Sequence, residues 1–153
     1  MSSMTAGASA TQPGSKYDRL IAAAKSVSTV STIVVHPCDE SSLRGAIESA
    51  EAGIIRATLV GPAARIRDVA AKHNLNISGY EIIDTVPTEA AAATRGVELI
   101  HEGKGEVLMK GSLHTDEIMR AVAAKTGGLR TDRRISHVFI MDVPAYDAPP
   151  VHR

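Results

Sequence analysis

The chain has 153 residues, of which 44% are hydrophobic and 22% are charged, a composition typical of a soluble globular domain. Its 17 Lys and Arg balance its 17 Asp and Glu, which argues against a strong nucleic-acid or membrane-surface binder, and its 3% of aromatic residues argues against a base-stacking platform. The single Cys38 excludes an internal disulfide and fits a reducing, cytoplasmic compartment, and no apolar run approaches the length of a membrane-spanning helix.

Regular patterning begins after a polar leader. Residues 1–15 are small and polar without periodicity and predict a disordered leader, followed by an α/β domain over 16–146 and an irregular tail at 147–153. Apolar residues at helical spacing predict a first helix over 17–24. Later helices are predicted from a Ser41 or Ser42 cap to Gly53, from Pro62 to His73, from Pro87 to Gly103, and over 115–125.

Runs of β-branched and other apolar residues predict the strands. These runs lie at 32–36, 57–60, 80–84, 107–109 and 135–141. Strands that alternate with helices indicate βαβ units, so we predict a three-layer α/β/α fold with a mostly parallel sheet. In such sheets, ligands bind beyond the carboxyl ends of the strands. The residues selected by this rule are His36, Gly61, Thr85, Lys110, Gly111, Ser112 and Asp142.

The strongest local signal is the turn at 110–112, Lys-Gly-Ser, which lies between the fourth strand and the helix that begins at Thr115. Glycine lets the backbone approach a ligand closely, lysine supplies a charge, and a helix N-terminus offers free N–H groups. We therefore predict a phosphate or carboxylate held there by main-chain amides and a cationic side chain. Arg120, one turn into the helix, either faces the same site as a second cation or lies on the protein surface. The alternative is a plain βα turn, since Asp116 and Glu117 already complement the helix dipole.

Other polar groupings carry weaker signals. Arg130, Arg133 and Arg134 either bind phosphate through their guanidinium groups or form a solvated loop. A covalent mechanism at Cys38 is disfavoured, because contact with the nearby His36 is not assured and a nucleophilic thiolate needs an adjacent base. The six histidines show no metal-ligand spacing.

Four segments, in order along the chain, resemble one known family. They are T-I-V-V-H-P-C-D-E-S-S-L-R-G-A-I-E-S-A (32–50), A-T-L-V-G-P-A-A-R-I (57–66), V-L-M-K-G-S-L-H-T-D-E-I-M-R-A-V (107–122) and G-L-R-T-D-R-R-I-S-H-V-F-I-M-D-V-P (128–144). They resemble the phosphate acetyl/butyryltransferase family. The match is closest to the phosphate acyltransferase half of bifunctional enoyl-CoA hydratase/phosphate acetyltransferase proteins, and it covers residues 17–146.

The resemblance implies reversible acyl transfer between coenzyme A and inorganic phosphate. It implies acyl-CoA and phosphate as substrates, no metal, no tightly bound cofactor, and a homodimer for the full-length form. It also implies a fold resembling the first domain of the isocitrate/isopropylmalate dehydrogenases. Carried over onto this sequence, the implied substrate-binding positions are Lys110, Gly111, Ser112, His114, Thr115, Arg120, His36, Asp39, Arg134, Ser136 and Asp142.

The family pattern extends beyond the segments matched here. Family members continue after D-V-P-x-Y into a second domain and a late segment with a catalytic Ser, Arg and Asp. The resemblance therefore implies a truncated or frameshifted form, or an isolated first domain, with a sheet edge and an apolar face left uncovered. Three functions stay open: a phosphate acyltransferase or an inactive fragment of one, a non-catalytic CoA- or anion-binding module, and a domain that dimerises through its exposed sheet.

Overall fold

The computed structural model describes residues 16–141 and the short strand at 151–152. In chain order the elements are α1 (Lys16–Lys25), β1 (Val30–Val35), α2 (Glu40–Glu51), β2 (Ile55–Gly61), α3 (Ala63–Lys72), β3 (Glu81–Asp84), α4 (Glu89–His101), β4 (Val107–Lys110), α5 (Thr115–Ala123), β5 (Phe139–Ile140) and β6 (Val151–His152). They divide into two units. One is Val27–Ile135, and the other combines the segment that ends at Ser26 with the segment that begins at Ser136. The predicted leader lies outside the described residues.

A parallel sheet forms the centre of the unit Val27–Ile135. Its strand order is β3-β2-β1-β4, so the two inner strands are the apolar β1 and β2. Val34 of β1 lies in register with Leu59 of β2 on one side and Met109 of β4 on the other. Inner strands buried on both faces read as continuous β-branched runs, which is the pattern of Thr32 to Val35. The predicted α/β class with a mostly parallel sheet is confirmed.

Helices cover both faces of this sheet, which gives the predicted three layers. On one face α2 and α3 pack on side chains such as Val34 and Leu59, through residues that include Leu43 and Ile66. On the other face α4 and α5 pack on Ile33, Val35 and Val60. The alternation of Ile33, Val34 and Val35 between the two faces follows from the two-residue period of a strand.

The start of α2 corrects one prediction. Neither Ser41 nor Ser42 caps this helix. Asp39 has extended backbone, and its carboxylate Oδ1 accepts the backbone N–H of Ser42 at 2.8 Å. A carboxylate at the cap position satisfies a free N–H and complements the helix dipole, so Asp39 takes the role in preference to a hydroxyl inside the first turn.

Replacement of the cap is a direct test of this geometry. Asp39→Ala should lower the free energy of unfolding by about 1 kcal/mol, because the Ser42 N–H loses its acceptor. The matched control is Ser41→Ala, which removes an exposed hydroxyl from the first turn of the same helix and should change stability by less than about 0.5 kcal/mol. Urea unfolding followed by circular dichroism measures both, and equal losses would contradict the assignment.

The other helices begin and end close to their predicted bounds, with small shifts. Pro62 lies one position before α3 as its N-cap, and α4 begins at Glu89 after Thr88, whose hydroxyl accepts the Ala91 N–H at 3.2 Å. Helix α5 ends at Ala123 instead of residue 125. The predicted first helix forms as α1, but none of its residues is buried.

The predicted strand at 135–141 is wrong for most of its length. Only Phe139–Ile140 is a strand, and it pairs antiparallel with Val151–His152 in a separate two-stranded sheet. The side chains of Ile135, Phe139 and Ile140 are at least half exposed. A run of apolar residues becomes a long strand only where a neighbouring strand pairs with its backbone, and in the described residues β5 pairs only over two residues. Two residues of the predicted irregular tail form β6, whereas the domain boundary at 146 and residues 142–150 lie outside the described part.

Candidate functional site

The tips of the four parallel strands lie together at one edge of the sheet. Backbone hydrogen bonds join each tip to the next: His36 N donates to Val60 O at 2.7 Å, and Thr85 N donates to Gly61 O at 3.1 Å. Gly111 N donates to Val35 O at 2.8 Å on the other side of β1. The structure therefore brings together all of the selected strand ends except Asp142, which lies outside the described residues.

Gly111 is required by the backbone of β1. A Cβ atom at this position would overlap the carbonyl oxygens of Val35 and His36, far inside the 3.0 Å that real Cβ atoms keep. The amides of Gly111 and Ser112 donate to these same two carbonyls, at 2.8 and 2.9 Å. Both N–H groups are thus used in closing the sheet, whereas the anion site predicted at 110–112, which also relied on Lys110 and on the N-terminus of α5, stays a prediction. The close approach that the glycine permits is to a neighbouring strand.

His36 occupies an unusual position at the tip of β1. Its φ of 55° lies in the left-handed region, which non-glycine residues rarely adopt, and its side chain is only 3% exposed. The ring Nδ1 lies 3.0 Å from the hydroxyl of Ser112. That hydroxyl is also 2.8 Å from the carbonyl oxygen of His36 and 3.2 Å from the backbone nitrogen of Cys38. Strained, buried, polar groups of this kind cluster at functional sites.

Burial sets the charge states of His36 and Cys38. Loss of water around the ring lowers the pKa of His36, and the charge of Arg65 lowers it further, whereas Glu89 and Asp39 act in the opposite direction. The imidazole is therefore neutral at pH 7. Burial raises the pKa of the Cys38 thiol to about 11. A thiol that stays protonated at neutral pH is a poor nucleophile, which agrees with the expectation that no covalent cysteine mechanism operates.

A second polar pair joins the N-termini of α4 and α5 at the same edge. The carboxylate Oε2 of Glu89 accepts the backbone N–H of His114 at 3.0 Å and lies 2.8 Å from its ring Nδ1. These hydrogen bonds lower the pKa of Glu89 and raise that of His114. Sequence reasoning selected His114 but missed Glu89 and Arg65. The available signal was their place in the first turns of helices that follow strand tips, because such helices begin at the ligand-binding edge.

Carboxylates already occupy the helix N-termini along this edge. Asp39 caps α2, Asp84 accepts the Ala63 N–H of α3 at 2.8 Å, and Glu89 takes the His114 N–H before α5. The ammonium of Lys110, at the end of β4, donates to Gly111 O at 3.3 Å, and its charge lowers the pKa of Asp39. Each carboxylate takes one N–H at a helix start, which leaves other first-turn N–H groups, together with Lys110, as donors for an anion.

The remaining predicted residues are spread along the chain. Thr115 is the first residue of α5, beside the edge, whereas Arg120 lies five residues further along the helix, which is roughly 7–8 Å of axial rise. Arg120 donates to Glu117 at 2.7 Å, and its side chain is 69% exposed. Lys110 and Ser112 stand together, but in the described part of the chain no hydrogen bond or ion pair joins Arg120 to either. Ser136 belongs to the other unit.

An arginine-rich cavity of about 680 Å³ lies beyond the C-terminus of α5. Its lining combines an apolar part with a polar loop: Val122, Ala123, Leu129, Ile135, Arg130, Thr131, Asp132, Arg133 and Arg134. Within the described residues, none of its three arginines is paired with a carboxylate. The structure therefore places Arg134 with Arg130 and Arg133, away from the strand tips.

Neither a metal-binding cluster nor a membrane-spanning helix occurs in the described part of the chain. Among residues 16–141, no group of three or more His, Cys, Asp or Glu side chains is arranged to hold a metal ion. No helix in the same range is long and apolar enough to cross a membrane.

The sequence is similar to several curated proteins. A phosphate acetyltransferase of Rhizobium meliloti is 63% identical over 132 residues, which cover 86% of this chain and 42% of the relative. A phosphate acetyltransferase of Rickettsia felis is 45% identical over 120 residues, which cover 78% of this chain and 34% of the relative. A phosphate butyryltransferase of Clostridium beijerinckii is 37% identical over 131 residues, which cover 86% of this chain and 43% of the relative. No family model matches the sequence.

A solved structure supports the fold. The EutD phosphotransacetylase from Staphylococcus aureus superimposes with a TM-score of 0.64 at 19% identity, covering 86% of this chain and 49% of that one. The likeness to the isocitrate/isopropylmalate dehydrogenases stays a prediction. The chain spans about two fifths of the length of the curated relatives it matches. Over that span it is homologous to the phosphate acetyltransferases and phosphate butyryltransferases, as the four sequence segments indicated.

Proposed function

We propose that this chain forms part of a phosphate acyltransferase, which moves an acyl group between coenzyme A and inorganic phosphate. The observation that carries the proposal is the 63% identity over 132 residues to a named phosphate acetyltransferase. An alignment of 132 residues spans the strand tips, where an α/β sheet binds its ligands. The predicted substrate-binding residues, the cytoplasmic location and the homodimer belong to this proposal.

The edge of the sheet offers the first requirement of this reaction, a fixed place for the reacting groups. Holding phosphate beside the thioester carbonyl turns a bimolecular encounter into a local step. Lys110 and Arg65 are the cations that act electrostatically on this edge, through Asp39 and His36 respectively. The amides of Gly111 and Ser112 are bonded to the carbonyls of β1, so these two cations join the free N–H groups of the helix starts as the proposed groups that hold phosphate.

The arginine-rich cavity suits the other end of coenzyme A. Guanidinium groups bind phosphates in a bidentate manner, and the apolar lining of Val122, Leu129 and Ile135 suits a nucleobase. Its volume lies in the range of ordinary ligand pockets. The same feature favours the alternative of a non-catalytic CoA-binding module, which would bind this ligand without turnover.

Release of free thiol tests the proposed reaction. The chain is incubated with acetyl-CoA or butyryl-CoA, with and without phosphate, and CoA binding is measured separately by calorimetry. Phosphate-dependent release supports the transferase, and binding without release supports the module. If the chain neither releases thiol nor binds CoA, the result contradicts both the transferase and the binding module. Acetyl and butyryl groups differ by two methylenes, each worth about 1–3 kcal/mol in a pocket, so the relative rates report the acyl preference.

The role of Arg120 has a matched control. If its guanidinium contacts phosphate or the CoA phosphates, Arg120→Ala should weaken binding about tenfold to a hundredfold, the range of one charge-assisted hydrogen bond. Arg44→Ala removes an arginine that makes a similar surface pair, with Glu40 at 2.7 Å, on a different helix, and it should bind CoA normally. Calorimetry with CoA and with phosphate compares the two variants. Unchanged affinity for both ligands would remove Arg120 from the site.

A further inference from the structure

His101, the last residue of α4, holds a turn that follows α5. Its ring nitrogen Nε2 lies 2.9 Å from the carbonyl oxygen of Gly128 and 3.3 Å from that of Gly127, two residues that we call the glycine turn. A carbonyl oxygen can only accept a hydrogen bond, and both of these partners are carbonyl oxygens. Nε2 must therefore carry a proton and donate it to the glycine turn, whichever charge the ring has.

The glycine turn closes tightly on the end of α5, next to α4. Ile100 of α4 and Val122 of α5 pack against one buried cluster, which brings the two helix ends together. Gly127 has a φ of 75°, in the left-handed region that favours glycine, and a Cβ atom at Gly128 would overlap backbone atoms at the end of α5. Leu129 N then donates to Val122 O at 2.7 Å. These contacts set the point at which the chain leaves α5.

The segment that leaves the glycine turn carries the cations of the arginine-rich cavity. Residues 129–135, which we call the arginine loop, line the cavity together with Val122 and Ala123 of α5. The loop contains no helix or strand, and among the described residues the bond from Leu129 to Val122 is the one backbone hydrogen bond that joins it to α5. The position of its arginines therefore depends on the turn before it, and that turn is held from α4 by His101.

We propose that His101 is a positioning residue for the arginine-rich cavity, because its Nε2–H holds the glycine turn and thereby sets where the arginine loop presents its guanidinium groups. The inference rests on the proposed function for the identity of the ligand, which is the phosphate-bearing end of coenzyme A. It adds that affinity at the cavity depends on a side chain outside the cavity lining.

Three variants of His101 test this role. His101→Ala removes the donor without weakening α4, since alanine is the best helix former. His101→Gln places an amide N–H about where Nε2–H lies, whereas the shorter His101→Asn does not reach the carbonyl oxygens. The apparent affinity of a ligand falls with the fraction of molecules in the competent arrangement. The Ala and Asn variants should therefore bind about threefold to tenfold more weakly, the range of one neutral hydrogen bond, and the Gln variant should bind normally.

Calorimetry with adenosine 3′,5′-bisphosphate measures these affinities. This probe carries the nucleoside and phosphates of coenzyme A without the pantetheine arm, so it reports on the cavity alone. Unchanged affinity in His101→Ala refutes the positioning role while the proposed function stands, and an equal loss in all three variants also refutes it. Absence of binding of both this probe and coenzyme A to the wild-type protein contradicts the proposed function as well.

The matched control is His73→Ala. His73 is also a histidine at a helix end, following α3, and its ring Nδ1 lies 3.3 Å from a carboxylate oxygen of Glu40. It belongs to no part of the arginine loop or of the cavity lining. Its removal should leave the affinity for adenosine 3′,5′-bisphosphate unchanged. A loss as large as that of His101→Ala would show that the effect is not specific to the glycine turn, and would overturn the proposal.

Nitrogen NMR gives a readout that a purely structural role of His101 would not move. In protein labelled with ¹⁵N-histidine, the ring of His101 should carry a proton on Nε2 at about pH 8, and a ring with its only proton on Nδ1 would overturn the contact. Coupling between two sites is reciprocal, so ligand bound by the arginine loop must strengthen the contact in turn. Saturation with adenosine 3′,5′-bisphosphate should therefore shift the signals of His101 and not those of His73. Unmoved His101 signals would refute the coupling.

Discussion

Gly111→Ala should destabilise the protein by about 3 kcal/mol, near the upper limit for overpacking a close contact. The added Cβ would overlap the carbonyl oxygens of Val35 and His36, and both atoms are backbone that cannot rotate away. Relief requires β4 to move away from β1, which breaks the hydrogen bonds from Gly111 N and Ser112 N. The same movement separates Ser112 from His36, so any ligand affinity at the strand tips should fall together with stability.

Gly45→Ala is the matched control for this variant. Gly45 lies on α2, where a Cβ would meet nothing within 4 Å, so the substitution should stabilise the helix by about 0.5–1 kcal/mol. Urea unfolding at pH 7 measures both variants. We expect the two substitutions to change the free energy of unfolding in opposite directions. A neutral Gly111→Ala would contradict the close approach of β4 to β1.

Leu59→Ala should cost about 2–5 kcal/mol, the range for emptying a well-packed core position. Leu59 is 1% exposed and lies on the inner strand β2, in register with Val34 on one side and Ile82 on the other. Helices α2 and α3 close over it, so the surrounding side chains have little room to collapse into the space that the leucine leaves.

Val27→Ala measures the cost of removing apolar atoms without a cavity. Val27 belongs to the same unit but is 65% exposed, so its truncation should change stability by less than about 0.5 kcal/mol. Urea unfolding measures both variants. If the slopes of the transitions are unchanged, the difference between the two midpoints reports the loss of core packing at Leu59. A Leu59→Ala loss as small as that of Val27→Ala would contradict the burial of β2 beneath α2 and α3.

Local patterns were sufficient for the parallel strands and their helices. The β-branched run at Thr32 to Val35 predicted β1, and the rule that ligands bind at strand ends selected both His36 and Ser112. Periodicity could not show that β4 lies beside β1, because strand order depends on packing between distant segments. It therefore could not show that the Ser112 hydroxyl reaches the ring of His36, or that the adjacent amides are consumed by the carbonyls of β1.

The strand predicted at 135–141 fails for a related reason. Its apolar, β-branched side chains favour a strand, but a strand also needs a neighbouring strand to pair with its backbone, and the local sequence does not show whether one is present. The cap of α2 is a second case in which the local sequence was not sufficient. Three polar residues near the start of α2 could cap it, and only the backbone geometry at Asp39 selects among them.

The place of β4 in the sheet has a consequence for biosynthesis. β1 pairs with β2 about 25 residues later in the chain, but with β4 only after about 75 residues have followed it, as in the pairs Ile33 with Thr58 and with Leu108. On the ribosome, where amino-terminal segments emerge first, the pairing of β1 with β2 is available long before β4 is made. The His36–Ser112 link spans 76 positions and must await that last strand. This edge of the sheet is thus completed only once β4 and the turn after it have been made, and a nascent chain halted before Lys110 should have no ligand affinity there even if its first three strands are already paired.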